Sequence, residues 1–184
     1  TYVYDRPFDN FENSRNHSME KLREVVKELD WNADKTYGYW FDCDETVIIQ
    51  PKFDKRQFTK DLYMMNTYIG QMKYTRNTFF RVSKPFKWYG PVHEFIICED
   101  KNITSALAEN IHVDVKMTGN SWQGDIPAKY KSHAHVLENY IDNDRKDPRW
   151  IFYTAQSYHD SASLPNNKDE NEERLRRSLK YYRE

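Results

Sequence analysis

The sequence predicts an α/β fold, a mixed sheet flanked by helices, that gives way near residue 125 to a purely helical region. Three observations carry this expectation. An amphipathic helix is followed at once by a short aromatic strand that ends on acids. Two β-rich runs then flank a Gly-Gln pair, as in a hairpin. From residue 126 onward the apolar residues recur only at helical spacing. Residues 1–125 are therefore expected to form the α/β domain, and residues 126–184 a linker helix followed by a helical hairpin.

Taken in order, Tyr2–Tyr4 read as a short strand, and Asp9–Ser14 as a polar entry rich in helix-capping residue types. Between Asn16 and Leu29, the residues Met19, Leu22, Val25, Val26 and Leu29 recur at the spacing of one helix face. Asp30–Lys35 break that helix. Tyr37–Phe41 form a strand, and the cluster Asp42-Cys43-Asp44-Glu45 follows it; in open α/β sheets, ligands bind beyond the carboxyl ends of strands. Val47–Ile49 and Pro51 leave this turn, and Asp54–Asp61 predict a short helix. Leu62–Ile69 and Tyr74–Val82 form a hairpin around Gly70-Gln71. Lys84–Pro91 read as an aromatic loop, Val92–Cys98 as a strand, Asp100–Asn110 as a mobile connection and Ile111–Val115 as a further strand.

Past Gly119–Gly124 the pattern changes. Ile126–Asp142 place Tyr130, Ala134, Leu137 and Ile141 on one helix face. Asp147-Pro148 open a second helix that runs through Tyr158, with Pro close to its first turn. Ser161–Asp169 read as a loop with a flexible stretch at Pro165–Glu170, and Glu172–Arg183 as a third helix.

Composition narrows the function classes. Charged residues make up 31% of the 184 residues, yet the net charge is only −1, which argues against a general binder of nucleic acid or anionic membrane. Aromatics reach 16%, and their many tyrosines suit half-buried positions with a wet polar tip. Cys43 and Cys98 lie far apart in apolar surroundings and read as reduced thiols of a cytoplasmic protein. No apolar run is long enough to span a bilayer.

Asp42 and Asp44 stand at i and i+2 after an apolar strand, so in extended geometry they point to one side. Such a pair can grip Mg²⁺ or Mn²⁺, which favour oxygen ligands and also hold substrate phosphates. The alternative is a solvated acidic turn. Glu45 adds a third acid at the edge. His93-Glu94, after the aromatic loop, supplies a carboxylate suited to general-base work, or else a plain surface pair. Trp88 and Tyr89 can stack on a sugar face or simply pack in the core. Arg15, Arg81 and Lys129 are candidates for phosphate contact.

These motifs resemble those of a known family. Tyr39-Trp40-Phe41-Asp42-Cys43-Asp44-Glu45 is similar to the Asp-Ala-Asp-Glu motif of inverting family 2 glycosyltransferases with a GT-A fold. Phe8-Asp9-Asn10-Phe11 with Ser14-Arg15-Asn16 resembles that family's Phe-Gly-x-x-Arg-Asn segment, and Trp88-Tyr89-Gly90-Pro91-Val92-His93-Glu94 its Trp-x-Gly-x-x-His-Glu element. The resemblance implies a GT-A-like catalytic domain using a nucleoside-diphosphate sugar, UDP-sugars favoured, and Mn²⁺ or Mg²⁺. Asp42 and Asp44 would hold the metal, Glu94 would act as base with His93 beside it, and Arg15, Asn16, Arg81 and Lys129 would meet the donor. Trp88, Tyr89 and Glu45 would face sugar or acceptor. The acceptor class stays open among glycan, protein and modified base.

The tail adds to this resemblance. Asp147-Pro148-Arg149 through Tyr158 looks like the segment that follows the catalytic domain in tetratricopeptide-linked members, met in bacteria, phages and large viruses. Asp125-x-Pro-x-Lys129-Tyr130 is similar to their linker helix. Ile151, Ala155 and Tyr158 fit the large-small-large positions of a tetratricopeptide first helix, and Ser178 and Tyr182 its second, which suggests a protein partner on the hairpin. Two departures stand against it. The family's nucleotide-binding strand, helix and Asp-x-Gly-Ser-x-Asp segment would precede Thr1, so the chain is expected to be a partial catalytic domain. The subgroup's His after the last core strand is replaced near Met117-Thr118, and His112 is a poor substitute. Two other readings stay open: a non-catalytic peptide- or glycan-binding protein derived from a transferase, and a metal-dependent phosphate-ester hydrolase.

Overall fold

The structure, a computed structural model, describes residues 1–118, 123–142, 147–162 and 168–184. Two compact units emerge. The first comprises Thr1–Asp9, Asn13–Tyr89 and Phe95–Gly119; the second comprises Asn10–Glu12, Gly90–Glu94 and Asn120–Glu184.

The first unit is α/β. A helix, α1 (Phe11–Glu28), precedes β1 (Tyr37–Tyr39), β2 (Glu45–Ile49), β3 (Leu62–Ile69), β4 (Met72–Arg81), β5 (Phe86–Tyr89), β6 (Phe95–Cys98) and β7 (Ser105–Val115). Five strands form one mixed sheet in the order β1-β4-β3-β7-β2, and β5 pairs with β6 in a separate ribbon. Within the large sheet β3 and β7 run parallel, while the other neighbours are antiparallel. The hairpin expected around Gly70-Gln71 is present, with Gly70 at φ 56°, a backbone conformation that glycine adopts without steric cost.

Each face of the sheet buries its own apolar set. On the helix side, Met19 and Leu22 of α1 pack with Leu62, Phe80, Phe86, Trp88 and Ile96. Gly38 makes this close approach feasible, because a Cβ there would lie 2.3 Å from the Phe80 ring and 2.7 Å from Leu22. On the opposite face Tyr63, Met65, Ala108, Ile111 and Val113 form the core, joined by Tyr37, Tyr39, Phe58 and Phe79.

One irregularity in β4 decides which side chains reach which face. Tyr63 pairs with Phe79 but Met64 pairs with Asn77, so Thr78 is an extra residue, a β-bulge. Directly opposed residues share a face, so Phe79 lies with Tyr63 and Arg76 with Met65, on one and the same side. Strict alternation would have separated residues 76 and 79. The bulge is well satisfied: the Trp40 N–H donates to the Thr78 carbonyl at 3.0 Å, and the Thr78 hydroxyl donates to the Tyr63 carbonyl at 3.4 Å.

Several expectations need correction. Tyr2–Tyr4 form no strand. The helix starts earlier than expected, at Phe11, and β1 ends at Tyr39 rather than Phe41. Asp54–Asp61 contain only one turn of 3-10 helix, Lys55–Gln57, capped by the Asp54 carboxylate. The aromatic loop holds β5, because Phe86 and Trp88 alternate into the core, and the connection at Asp100–Asn110 already belongs to β7 from Ser105.

The second unit is built from α2 (Ile126–Asp142), α3 (Pro148–Ala162) and α4 (Lys168–Tyr181). Trp150, Leu137, Ala134, Ala155 and Tyr158 are buried, and small residues at Thr154, Ser157, Ser161 and Ser178 bring the helix backbones close. Ala155, Tyr158 and Ser178 are buried as expected of a packed hairpin, whereas Tyr182 lies past the end of α4 and is 49% exposed. Of the expected boundary segment Gly119–Gly124, residues 119–122 lie outside the described residues, as do residues 165–167 of the stretch expected to be flexible; Lys168–Glu170 instead form the first turn of α4, with acids at its N-terminus. Among the described residues no helix is long and apolar enough to cross a membrane.

Candidate functional site

The acids at the end of β1 do not continue the strand. Asp42-Cys43-Asp44-Glu45 form a turn in which the Glu45 N–H donates to the Asp42 carbonyl at 3.1 Å. The Glu45 carboxylate in turn accepts from the Asp42 N–H at 3.2 Å, so the turn is closed from both sides. The expectation that Asp42 and Asp44 share a side rested on extended geometry, and a turn replaces that geometry here. The Lys116 N–H donates to the Asp44 carbonyl at 3.0 Å, which ties the turn to the end of β7.

Two arginines close on this turn from the two faces of the sheet. Arg15, one helical turn before Met19 on α1, lies over both the Trp40 and Trp88 rings, which meet edge-on, with its guanidinium carbon 4.5 Å from each ring centroid. Its Nη2 lies 3.7 Å from Asp42 Oδ1, and the Trp40 indole N–H donates to that same oxygen at 3.2 Å. Arg76, turned by the Thr78 bulge to the opposite face, places Nη1 3.5 Å from Asp42 Oδ2 and donates through Nη2 to Glu45 Oε2. The Glu45 side chain is only 2% exposed. Burial lowers the pKa of Arg76, but the hydrogen bond and charge of Glu45 and the charge of Asp42 outweigh it, and the net shift is upward.

Around this pair the environment is dry and aromatic. Tyr39 stacks on Phe79 with centroids 4.6 Å apart, and burial followed by the Glu45 charge pushes its hydroxyl pKa to about 12. The Tyr39 hydroxyl and Arg76 Nε are buried without a hydrogen-bond partner among the described residues.

The remaining sequence-predicted residues divide clearly. Asn16 clamps the backbone of Trp88, accepting from its N–H at 2.7 Å and donating to its carbonyl at 2.9 Å, so both of its polar ends serve packing. Trp88 is 7% exposed and belongs to the core, with Trp40 edge-on at 5.4 Å; it backs Arg15 and offers no open stacking face. Tyr89 packs edge-to-face against Phe95 at 5.8 Å. Glu45 is a buried counter-ion, so it does not face sugar or acceptor. Arg81 uses all three nitrogens internally: Nε on Asp61 at 3.0 Å, Nη1 on the Asp34 carbonyl, and Nη2 on the Thr59 and Lys60 carbonyls at 2.7 and 3.1 Å. It is a structural hub at the far end of β4, and Arg76 takes the place expected of it beside the acids.

His93, Glu94 and Lys129 belong to the second unit. His93 has φ 53°, stacks on Tyr153 at 4.2 Å and 6°, and meets His133 edge-on at 5.6 Å. Its carbonyl accepts from Arg149 at 3.1 Å. Burial, then the neighbouring His133, Arg149 and Lys129, lowers its pKa to about 4, so the ring is neutral at pH 7. Burial also lowers the pKa of Lys129.

Among the described residues no group of three or more His, Cys, Asp or Glu side chains could hold a metal ion. Mg²⁺, however, is usually bound by one or two carboxylates together with substrate phosphates, not by a protein-only cage. Asp44, together with an Asp42 released from its arginines, is a donor set of that kind. No known family model matches the chain, and no curated protein matches it either. What stands on the structure is the class: an α/β unit with a mixed sheet, and a helical second unit.

Proposed function

We propose that the chain is part of a metal-dependent inverting glycosyltransferase with a GT-A-like catalytic domain and a tetratricopeptide-like helical tail, acting on a nucleoside-diphosphate sugar in the cytoplasm. The observation that carries this reading is the composition of the turn after β1: Asp42 and Asp44, with Arg15 and Arg76 on either side. Acids for a divalent cation beside arginines for phosphate are what a metal–diphosphate leaving group requires. The sequence resemblance, three motifs in family order, supports the same reading.

In this proposal Asp42 and Asp44 would hold the cation, which supplies Lewis-acid stabilisation of the departing diphosphate when bound. Arg15, packed over two indoles, carries a positive charge to the phosphates with little loss of side-chain freedom on binding. Glu94 is assigned as general base on the resemblance alone. The acceptor oxygen forms a bond to the anomeric carbon, its proton passes to Glu94, and the bond to the diphosphate oxygen breaks with its electron pair leaving on the diphosphate.

Calorimetric titration of UDP and GDP, with Mn²⁺ and then with EDTA, tests this. Manganese-dependent binding that Asp44→Asn abolishes is expected, together with a Glu94→Gln variant that binds normally but does not turn over. Normal turnover by Glu94→Gln would sink the base assignment. Absence of nucleotide binding under both conditions would overturn the transferase reading and favour a peptide- or glycan-binding role.

A further inference from the structure

Asp42 holds the two arginines loosely. At 3.7 and 3.5 Å, its contacts with Arg15 and Arg76 are longer than a normal N–H···O bond of about 2.7–3.2 Å. The two guanidiniums themselves are rigid. Arg15 packs over the edge-on pair of Trp40 and Trp88, and Arg76 is anchored through its other nitrogen to buried Glu45. Among the described residues, Arg76 Nε and the Tyr39 hydroxyl are donors without a partner, on the same face. The carboxylate between the two cations takes its hydrogen bond from the Trp40 indole N–H at 3.2 Å and meets the arginines only at longer range, so a stronger anion can take its place beside them.

We propose that Arg15 and Arg76 form a diphosphate clamp for which the Asp42 carboxylate is the stand-in, so that a diphosphate entering the clamp frees Asp42 to bind a divalent cation alongside Asp44. The proposal rests on the transferase reading for the identity of the natural diphosphate, a nucleoside-diphosphate sugar. The clamp itself needs only the diphosphate. Glu45 keeps Arg76 in place throughout, because it occupies a different nitrogen from the one facing Asp42. Since one carboxylate serves either the arginines or the metal, diphosphate and cation must help each other bind, and by the same factor in both directions.

The test is calorimetry with inorganic pyrophosphate on the full chain, with and without Mg²⁺. The wild-type chain should bind pyrophosphate, and Mg²⁺ should tighten binding at least 5-fold, a coupling of the usual allosteric size. Asp42→Asn should tighten metal-free pyrophosphate binding, because the competing carboxylate is gone, and should erase the Mg²⁺ enhancement. A simple metal site predicts no change in metal-free binding, because the carboxylate would then act only through the cation. Arg76→Gln combined with Glu45→Gln replaces the buried ion pair by neutral near-isosteres. It should lose about 10-fold or more in pyrophosphate affinity, roughly one charge-assisted contact, with its circular dichroism unchanged. Arg15→Gln, which leaves Glu45 paired, should lose a similar amount and guards against misfolding of the double variant.

Weaker or unchanged metal-free binding in Asp42→Asn, or no pyrophosphate binding by the wild type, would overturn the clamp. If UDP nevertheless bound with Mn²⁺, the transferase reading would stand without it. Pyrophosphate binding with the expected signs, but no binding of any nucleoside diphosphate, would leave the clamp and remove the transferase.

Discussion

Each of the two units shields a glutamate from water, fully at Glu45 and partly at Glu138, and they hold it differently. Glu45, in the α/β unit, is held by the half-buried Arg76 and a backbone N–H. Glu138, in the helical unit, accepts from the hydroxyls of Tyr158 at 2.6 Å and Tyr181 at 3.0 Å, with Arg177 only at the rim, 3.6 Å away. Burial and then the bond to Glu138 raise the Tyr158 pKa to about 12 and that of Tyr181 further, so both stay protonated donors. His93, in the same unit, is likewise kept neutral by burial. The α/β unit thus fixes charge against charge beside an exposed acidic turn, while the helical unit surrounds its acid with neutral hydroxyls. An arrangement of fixed charges can answer an incoming ion; a hydroxyl network mainly fixes helix positions.

The largest expected difference comes from breaking the charged pair. Arg76→Leu leaves Glu45 buried without its cation and should cost about 3–5 kcal/mol in urea unfolding followed by circular dichroism. Adding Glu45→Leu should recover most of that loss. If it did not, Arg76 would stabilise the sheet by packing and not by charge. Next in size is the pH response of the helical unit. The unfolded chain takes up a proton at His93 near pH 6.5, whereas the folded chain does so only near pH 4. Stability is therefore complete above about pH 6.5 and falls as the pH drops towards 4, by on the order of 2 kcal/mol. His93→Asn, which tolerates the positive φ, should flatten that profile; an unchanged profile would assign the acid sensitivity elsewhere. The smallest effect is expected of Tyr181→Phe, about 1 kcal/mol for one hydroxyl bond to Glu138. A loss as large as that of Arg76→Leu would erase the contrast between the units.

Much of the scaffold was legible because periodicity follows burial. The stripe Met19, Leu22, Val26 gave α1, and Tyr130, Ala134, Leu137 and Ile141 gave α2 with both of its ends, Ile126 and Asp142. Residues whose roles come from exceptions were not legible. Arg76 escaped notice since nothing local marks Thr78 as an extra residue; pairing partners on another strand decide it. Arg81 and Asn16 drew attention by motif position, yet they bond backbone carbonyls and amides supplied by distant segments. Trp88 looked equally fit for a sugar or for the core, and burial beneath Arg15 and Trp40 decided for the core. The acidic cluster itself was readable, but its closure into a turn and its arginine lining from the second face were not.

The bulge at Thr78 also sets a rule for insertions and deletions. Removing one residue between Arg76 and Phe79 would give β4 an unbroken ladder with ordinary alternation. The two residues would then stand at i and i+2 and keep their shared face, whereas an unbroken ladder that retains Thr78 would turn either the guanidinium or the aromatic ring to the wrong side. The strand therefore has a parity: the bulge can be closed by removing Thr78, but a redesign that keeps Thr78 and pairs it into the ladder misplaces everything on one side of it.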